Sequence, residues 1–506
     1  MLSRSARRDG FAVTSSASSC HDGRVNWRAV RSILVALGVL TGAGLASDAA
    51  ETEREWKAAA AVADITPQGA FWMGGYAARR GPSEGVLGTI HAKALVLEDA
   101  EGSRLAILTY DLIGIPRTMR DRVAERVAST WGIASDRLLL NASHTHCGPM
   151  IRVYRPPWGG EPRAVYDRIP DDEETEWVER TIAYRDFLVE ASVELVGEAL
   201  TRMEPATLSW SRARCGFSMN RRTPLGPGQW RNAPNPDGPV DQEVPVLRIR
   251  GEGDELRAVL FGYACHATTL SVMEINGDWP GRAQSLFEKE HPGTIALFLN
   301  GASGDQNPYP RRLRVYLERH GQSMVTSIEA AIETEGRPVT GPLRAAISWC
   351  PVRYRHPTRE ELEEKARSPD RYDARHARFL LEWWDEQGEL ARDYAVPVQV
   401  IRFGESLTLV ALGGEVVVDY AHRVRNEIGE KSGGSPVWFA GYSNDVMGYI
   451  PSERVLSEGG YEGKVAMRYV RSTVHPGPWA PGIESRLMES VHRLYDSLDA
   501  KKRTEK

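Results

Sequence analysis

The chain has 506 residues, 42% hydrophobic and 26% charged, with a net charge of −5 at pH 7. That balance belongs to a globular protein with a sizeable core. A mildly acidic chain without a basic tract argues against nucleic acid as a partner, and no run after residue 50 approaches the ~20 apolar residues of a membrane span.

The N-terminus has the order of an export leader. Arg24, Arg28 and Arg31 precede an apolar run from Ile33 to Leu45, and the small residues Ala46 and Ala49 follow. This is a basic region, an apolar region and a cleavage site; the shortness of the run and Gly38, Gly42 and Gly44 weigh against a membrane anchor. Residues 1–48 are therefore expected to be a leader, and the mature chain to be exported, periplasmic or secreted, with no stable transmembrane span. Losing six Arg and two Asp with residues 1–46 takes the net charge from −5 to −9. Cys20 goes with the leader, leaving Cys147, Cys215, Cys265 and Cys350; no CxxC pair occurs, so a structural zinc ribbon is not expected.

Three strand–helix–strand units follow. The first runs from Leu105–Asp111 through a helix over Arg117–Trp131 to Leu138–Ala142. The second runs from Ala258–Ala264 through a helix near Gly281–Glu290 to Ile295–Asn300. The third runs from Leu407–Leu412 through a helix near Val416–Ile428 to Val437–Ala440. Apolar runs alternating with amphipathic segments predict an α/β fold with a mixed, largely parallel sheet flanked by helices. Residues 55–506 are expected to form a single domain. Two segments look inserted into it. Residues 150–176 carry four Pro, two Tyr and one Trp and end in an acidic run, fitting a lid or a solvated loop; residues 356–392 read as two helices packed against the sheet.

Open α/β sheets bind ligands beyond the carboxyl ends of their strands. The polar residues there are Asp111, His144, His146, His266, Asn300–Asn307, Glu415 and Asn444–Tyr449. Two histidines at i and i+2 in Asn141-Ala-Ser-His144-Thr-His146-Cys147-Gly-Pro149 point to one side. His266 follows the second unit's first strand, and Glu415 follows two glycines that let backbone approach a site closely. His144, His266 and Glu415 supply the three protein ligands of a catalytic zinc, leaving a position for water. The turn Asn300-Gly-Ala-Ser303-Gly-Asp305-Gln-Asn307-Pro308 lacks the Lys of a phosphate loop; Ser303 is a candidate nucleophile with no base beside it in sequence.

These motifs resemble the neutral (non-lysosomal) ceramidase family and its bacterial relatives. The resemblance covers roughly residues 57–465. It begins at Ala63-Asp-Ile-Thr-Pro67 and Met73-Gly-Gly-Tyr76. It continues through Ser143-His-Thr-His146-Cys-Gly-Pro149, Asn220-Arg221, the His266 segment, the Gly304–Pro308 turn, Gly414-Glu415 and Asn444-Asp-Val-Met-Gly-Tyr449. It ends at Gly460-Tyr461-Glu462. It implies one Zn²⁺ held by His144, His266, Glu415 and Tyr449, with His146 and Arg221 beside the scissile group and Tyr461 lining the site. The expected activity is cleavage of an amide (or ester) bond in a small or lipid-like substrate by a zinc-activated water.

Two departures bear on this. Where the family has a serine before Pro in a Gly-Asp-x-Ser-Pro turn, this chain has Asn307. An amide cannot act as nucleophile, but Asn307 can donate a hydrogen bond to the substrate or oxyanion. The family's C-terminal immunoglobulin-like sandwich is not expected after the helical segment Ile483–Leu498, which makes ceramide itself a doubtful substrate. Two rival readings fit parts of the same sequence. One is a non-catalytic ceramidase-like binding protein, favoured by the missing serine. The other is an amidohydrolase-type β/α barrel, which needs about eight regular units and a late Asp ligand.

Overall fold

The computed structural model describes residues 56–504, apart from 157, 166–168 and 470–477. The expected leader lies outside the described residues. Residues Glu53–Lys506 make one compact unit.

The larger sheet uses β1 (Trp56–Asp64), β2 (His91–Asp99), β3 (Arg104–Tyr110), β4 (Leu138–Ala142), β5 (Glu204–Arg214), β6 (Glu243–Arg250), β7 (Leu256–Tyr263) and β8 (Ile295–Asn300), in the order β8-β7-β6-β5-β1-β2-β3-β4. Each of the three units read from sequence closes as a parallel pair. β3 pairs with β4 across α1 (Arg117–Trp131), and β7 with β8 across α3 (Asp278–Glu290). The third is in a second sheet of β9 (Leu343–Arg353), β10 (Asp393–Phe403), β11 (Leu407–Leu412) and β12 (Val437–Ala440). There β11 pairs with β12 across α7 (Val418–Lys431).

The mixed α/β class holds, but "largely parallel" needs correction. All other ladders between β1 and β12 in these two sheets are antiparallel. Short links at residues 100–103, 251–255 and 404–406 permit only hairpins and account for three of these ladders. The parallel pairs sit at sheet edges, and that is where the site forms.

Alternation along β2 explains the layering. Ala94 and Val96 face one way, into a core with Val123, Val127, Leu188 and Val196 of α1 and α2 (Asp171–Thr201). Leu95 and Leu97 face the other way, into a core with Ile401, Phe403, Leu407 and Leu409 of the second sheet. Helix α3 and α4 (Arg314–Glu333) cover the β6–β8 end, packing Phe287 and Met324 on Phe261 and Phe298. Helix α7 and α8 (Ile483–Thr504) close the far side, where Val424 and Leu487 meet Val400 and Val410. Two sheets packed face to face thus lie between two helical layers. Both faces of each central strand are buried, which is why the strands read as continuous apolar runs.

The acidic run ending the first insertion is the first turn of α2, Asp171–Glu174, where carboxylates oppose the helix dipole. Ahead of it, Val153–Tyr154 and Arg163–Ala164 pair as a small ribbon. The second insertion forms α5 (Arg359–Lys365) and α6 (Arg371–Gln387). A Thr358–Glu361 capping box starts α5, and an Asp370 cap starts α6. These helices do not pack against the sheet, as the sequence suggested. Their Leu362, Leu380 and Trp383 join Met150, Tyr154 and Val165 in a separate small core. The two insertions cover each other's apolar faces.

Candidate metal centre and its surroundings

The ends of the two sheets are joined by asparagines. Asn141 donates from Nδ2 to Gly441 O (2.7 Å) and accepts the Asn300 N–H (2.9 Å). Asn444 donates to Gln399 Oε1 (2.8 Å), and its N–H reaches Leu140 O (2.7 Å). These buried amides bring the loops after β4, β7, β8, β11 and β12 together. Gly304 then lies against the start of the Glu415 segment, where a Cβ would stand 2.6 Å from Glu415 O. His144, Tyr442 and Asn444 take left-handed backbone at φ 63°, 50° and 64°. Such strain in side chains other than glycine persists where surrounding contacts over-determine it, commonly at functional sites.

His144 and His266 are both buried. His144 Nδ1 lies 2.5 Å from Ile113 O, and His266 Nδ1 lies 2.6 Å from Ser303 O. A carbonyl only accepts, so each Nδ1 carries the hydrogen and each Nε2 presents a lone pair inward. His144 Nε2 stands 3.1 Å from Glu415 Oε2, and His266 Nε2 stands 3.4 Å from both Glu415 Oε2 and the Tyr449 hydroxyl. Ligand atoms bound at about 2.0–2.1 Å around a tetrahedral ion lie about 3.3–3.4 Å apart. The Glu415 Oε2 is buried without a hydrogen bond. Lone pairs of two imidazoles and a carboxylate converge with no proton between them, an arrangement that repels itself unless a cation sits within. The residues fit a metal ion.

His146 joins this cluster more closely than the sequence implied. Its Nε2 is 3.2 Å from His144 Nε2, and ligand nitrogens of His144, His146 and His266 all lie within 4.8 Å of one another. Among the described residues its Nδ1 is buried with no hydrogen-bond partner. Burial, then the neighbouring imidazoles of His144 and His266, push its pKa well below the usual histidine value. His266 is pushed down to about 3, by burial first and by Arg221 next.

Arg221 is buried with its fork fully aimed. Nε donates to Glu462 Oε1 (2.9 Å), Nη1 to Asn307 Oδ1 (3.2 Å) and Nη2 to the Tyr449 hydroxyl (2.9 Å). Burial pulls its pKa down, but Tyr449 and Glu462 outweigh that and raise it well above the usual arginine value. Glu462 also accepts from Arg222 Nη1 (2.7 Å). Asn307 is held by Arg221 and Thr268 (3.1 Å). Tyr461 opens a single π-helical turn, Tyr461–Val465, and its ring meets that of Tyr449 at 5.3 Å. An aromatic run continues from it to Tyr469 (6.1 Å) and Tyr372 of α6 (4.8 Å), linking the second insertion to the site.

All eight residues singled out from sequence therefore gather around one point. Three neighbours were missed. Glu462 was quoted only as part of a motif, although it aligns Arg221. The Tyr442 ring lies 4.6 Å from the His144 ring, tilted by 46°. Asp305 accepts the Val418 N–H (2.9 Å), and burial raises its pKa to about 7. It lay within the Asn300–Asn307 turn read from sequence, but the α7 N-terminus that it caps is 113 residues away. Ser303 is fully buried, and its carbonyl orients His266. Asp111 is also buried but accepts the His91 N–H (3.0 Å) away from the cluster. Cys147, Cys215, Cys265 and Cys350 are buried free thiols. Burial pushes the Cys147 pKa up to about 12.

The profile of the neutral/alkaline non-lysosomal ceramidase family, N-terminal part, matches residues 56–312. Among solved structures, the neutral ceramidase from Pseudomonas aeruginosa superposes with a TM-score of 0.66 at 18% identity, covering 89% of this chain and 75% of that one. A ceramidase complexed with C2 gives 0.65 at 18% identity, covering 89% and 76%. At this identity the likeness is one of fold. No curated protein matches.

Proposed function

The chain belongs to the neutral/alkaline non-lysosomal ceramidase family, whose members are hydrolases acting on amide bonds, and from that premise we propose that it is an exported, zinc-dependent amide (or ester) hydrolase. The single observation that carries this reading is the convergence of two imidazole Nε2 atoms and the Glu415 carboxylate at 3.1–3.4 Å spacing, with both imidazoles fixed by backbone carbonyls.

His144, His266, Glu415 and Tyr449 would hold one zinc. Bound there, zinc would lower the pKa of a coordinated water to around 7 and polarise a carbonyl. The remaining steps fall to the chain's own residues. Arg221, with two of its five N–H groups uncommitted, stabilises the carbonyl oxygen as it takes on charge. His146, kept neutral by burial, accepts the proton released as water adds to the carbonyl carbon. The C–N (or C–O) bond then breaks, and the same proton leaves with the amine or alcohol. Asn307 holds Arg221 and presents its amide to the substrate; Tyr461 walls the site. With Asn307 in place of the family's serine, this route needs no acyl-serine.

Residues 1–48 are proposed as the leader that directs export and 55–506 as one catalytic domain, with the ribbon at 150–176 and the helices at 356–392 as its cap. No helix among the described residues is long and apolar enough to cross a membrane. The test is turnover of a panel of amides and esters by purified protein before and after chelation. The proposal expects chelation to abolish hydrolysis and zinc to restore it. Hydrolysis that survives complete metal removal would overturn it, and tight binding of the panel without turnover under added zinc would favour a binding protein.

A further inference from the structure

Beyond Tyr76 opens a cavity of about 800 Å³, lined among others by Tyr76, Arg79, Arg80, Glu84, Met273 and Arg312. Tyr76 joins it to the metal centre. Its ring lies 4.8 Å from the His146 ring, and its hydroxyl donates to Leu270 O (2.7 Å). Two cations flank that ring. The Arg79 and Arg312 guanidiniums stand 4.9 and 5.2 Å from its centroid, and Arg312 Nη1 donates to the hydroxyl (3.1 Å). Gly75, at φ 90°, makes room for this stack; a Cβ there would stand 2.3 Å from His146 Nδ1.

The charge on this wall is unbalanced. Arg79 spends its donors on the carbonyls of Gly74 and Val272, and its buried Nε has no partner. Among the described residues, no carboxylate pairs with Arg79, Arg80 or Arg312, and Glu84 on the same wall pairs with none of them. Outside the cavity the arginines nearby are neutralised in the ordinary way, Arg314 by Glu274 and Arg282 by Glu318. Arg311, next to Arg312, is a further cation; burial, together with Arg312, holds its pKa below the usual arginine value. Like charges gathered on one concave wall, with Arg79 buried behind Arg80 and Arg312, focus a positive potential into the cavity. Guanidinium forks suit planar or tetrahedral oxyanions.

We propose that this cavity is the subsite for an anionic group on the substrate, so that the bond cleaved belongs to an amide or ester bearing a carboxylate, sulfonate or phosphate one aromatic ring away from the metal centre. This rests on the hydrolase reading above and narrows it: a neutral amide leaves these cations unanswered, whereas an N-acyl amino acid answers them. Arg80 and Arg312, both exposed, hold the anion, and Tyr76 bridges Arg312 to His146.

Octanoylglycine and octanoylethanolamine differ only in ending in a carboxylate or a hydroxymethyl group. Calorimetric titration of the metal-loaded full chain is expected to show octanoylglycine binding roughly 10- to 100-fold more tightly, the range for one to two charge-assisted contacts. The ratio should fall with added salt and fall towards one in Arg312→Gln. Arg80→Gln, an exposed position, should lower it too and covers the case in which Arg312→Gln does not fold. Equal or weaker binding of octanoylglycine, or no binding of either probe, overturns the subsite. Turnover in the same tubes is a separate readout. Hydrolysis of the neutral probe without preference for the anion leaves the hydrolase standing and removes the subsite. Preferential binding of the anion with no hydrolysis of any amide or ester keeps the subsite and removes the hydrolase.

Discussion

The metal centre and the cap made by the two insertions are built by opposite means. The centre is polar and mostly buried, with His146, Glu415 and Tyr461 partly open, and its side chains come from loops far apart in sequence. His144 and His266 are fixed by backbone carbonyls, and Tyr449 and Asn307 by the Arg221 guanidinium, rather than by apolar packing. The cap is a small apolar core of short local elements, with Leu380 and Trp383 of α6 against Met150 and Tyr154. An aromatic run from Tyr372 to Tyr449 ties it to the centre. A buried polar cluster is intolerant because each lost partner leaves another group unsatisfied. A satellite core loses burial energy and little else. The difference predicts that damage to the centre removes chemistry, while damage to the cap removes stability.

The largest effect should come from His266→Ala. It takes away one ligand and leaves Glu415 facing one fewer imidazole, so bound metal should be lost together with activity, by on the order of 10³-fold or more in kcat/KM. Metal analysis and kinetics check it; retention of stoichiometric metal would break the contrast. Next is Arg221→Lys. A lysine cannot reproduce the fork to Glu462, Asn307 and Tyr449, so kcat should fall on the order of 10²-fold while metal content stays whole. Loss of metal here would make Arg221 part of the ligand shell.

In the cap, Leu380→Ala should cost about 2–5 kcal/mol of unfolding free energy, measured by denaturant titration. Bound metal and kcat should stay near wild type below the unfolding transition. A collapse of kcat in the folded variant would show that the cap shapes the centre.

The smallest effect concerns pH. Asp305 has a folded-state pKa of about 7 against 3.8 when unfolded, so the folded state binds the proton more tightly. Its stabilising effect is complete below about pH 4 and is lost as pH rises towards 7. Asp305→Asn does not titrate. The wild type should therefore lose stability relative to the variant across that window, by at most a few kcal/mol. A difference that is flat with pH would contradict the burial assigned to this carboxyl.

Much of this contrast was legible from sequence. The three parallel units were, because each strand is an apolar run with a crossover helix behind it. The position of the site followed from their carboxyl ends. The antiparallel majority was not, because a strand buried on both faces reads alike in either direction, and the hairpin links at Gly102 and Gly253 were passed over. Glu462 could not be assigned a role because its partner Arg221 lies 241 residues away. The left-handed backbone of Tyr442 and His144 has no residue signature, since neither is a glycine. The cap was misplaced onto the sheet because an amphipathic helix shows that it has an apolar face but not which surface covers it.

The account stands on one cation shared by His144, His266, Glu415 and Tyr449. Anomalous diffraction at the zinc edge from crystals of the purified protein tests this most directly. The account predicts a single strong peak at about 2.0–2.3 Å from the inward-facing atoms of those four residues, with His146 outside bonding distance. No peak between them, or a peak ligated by His146 in place of Glu415 or Tyr449, would contradict it.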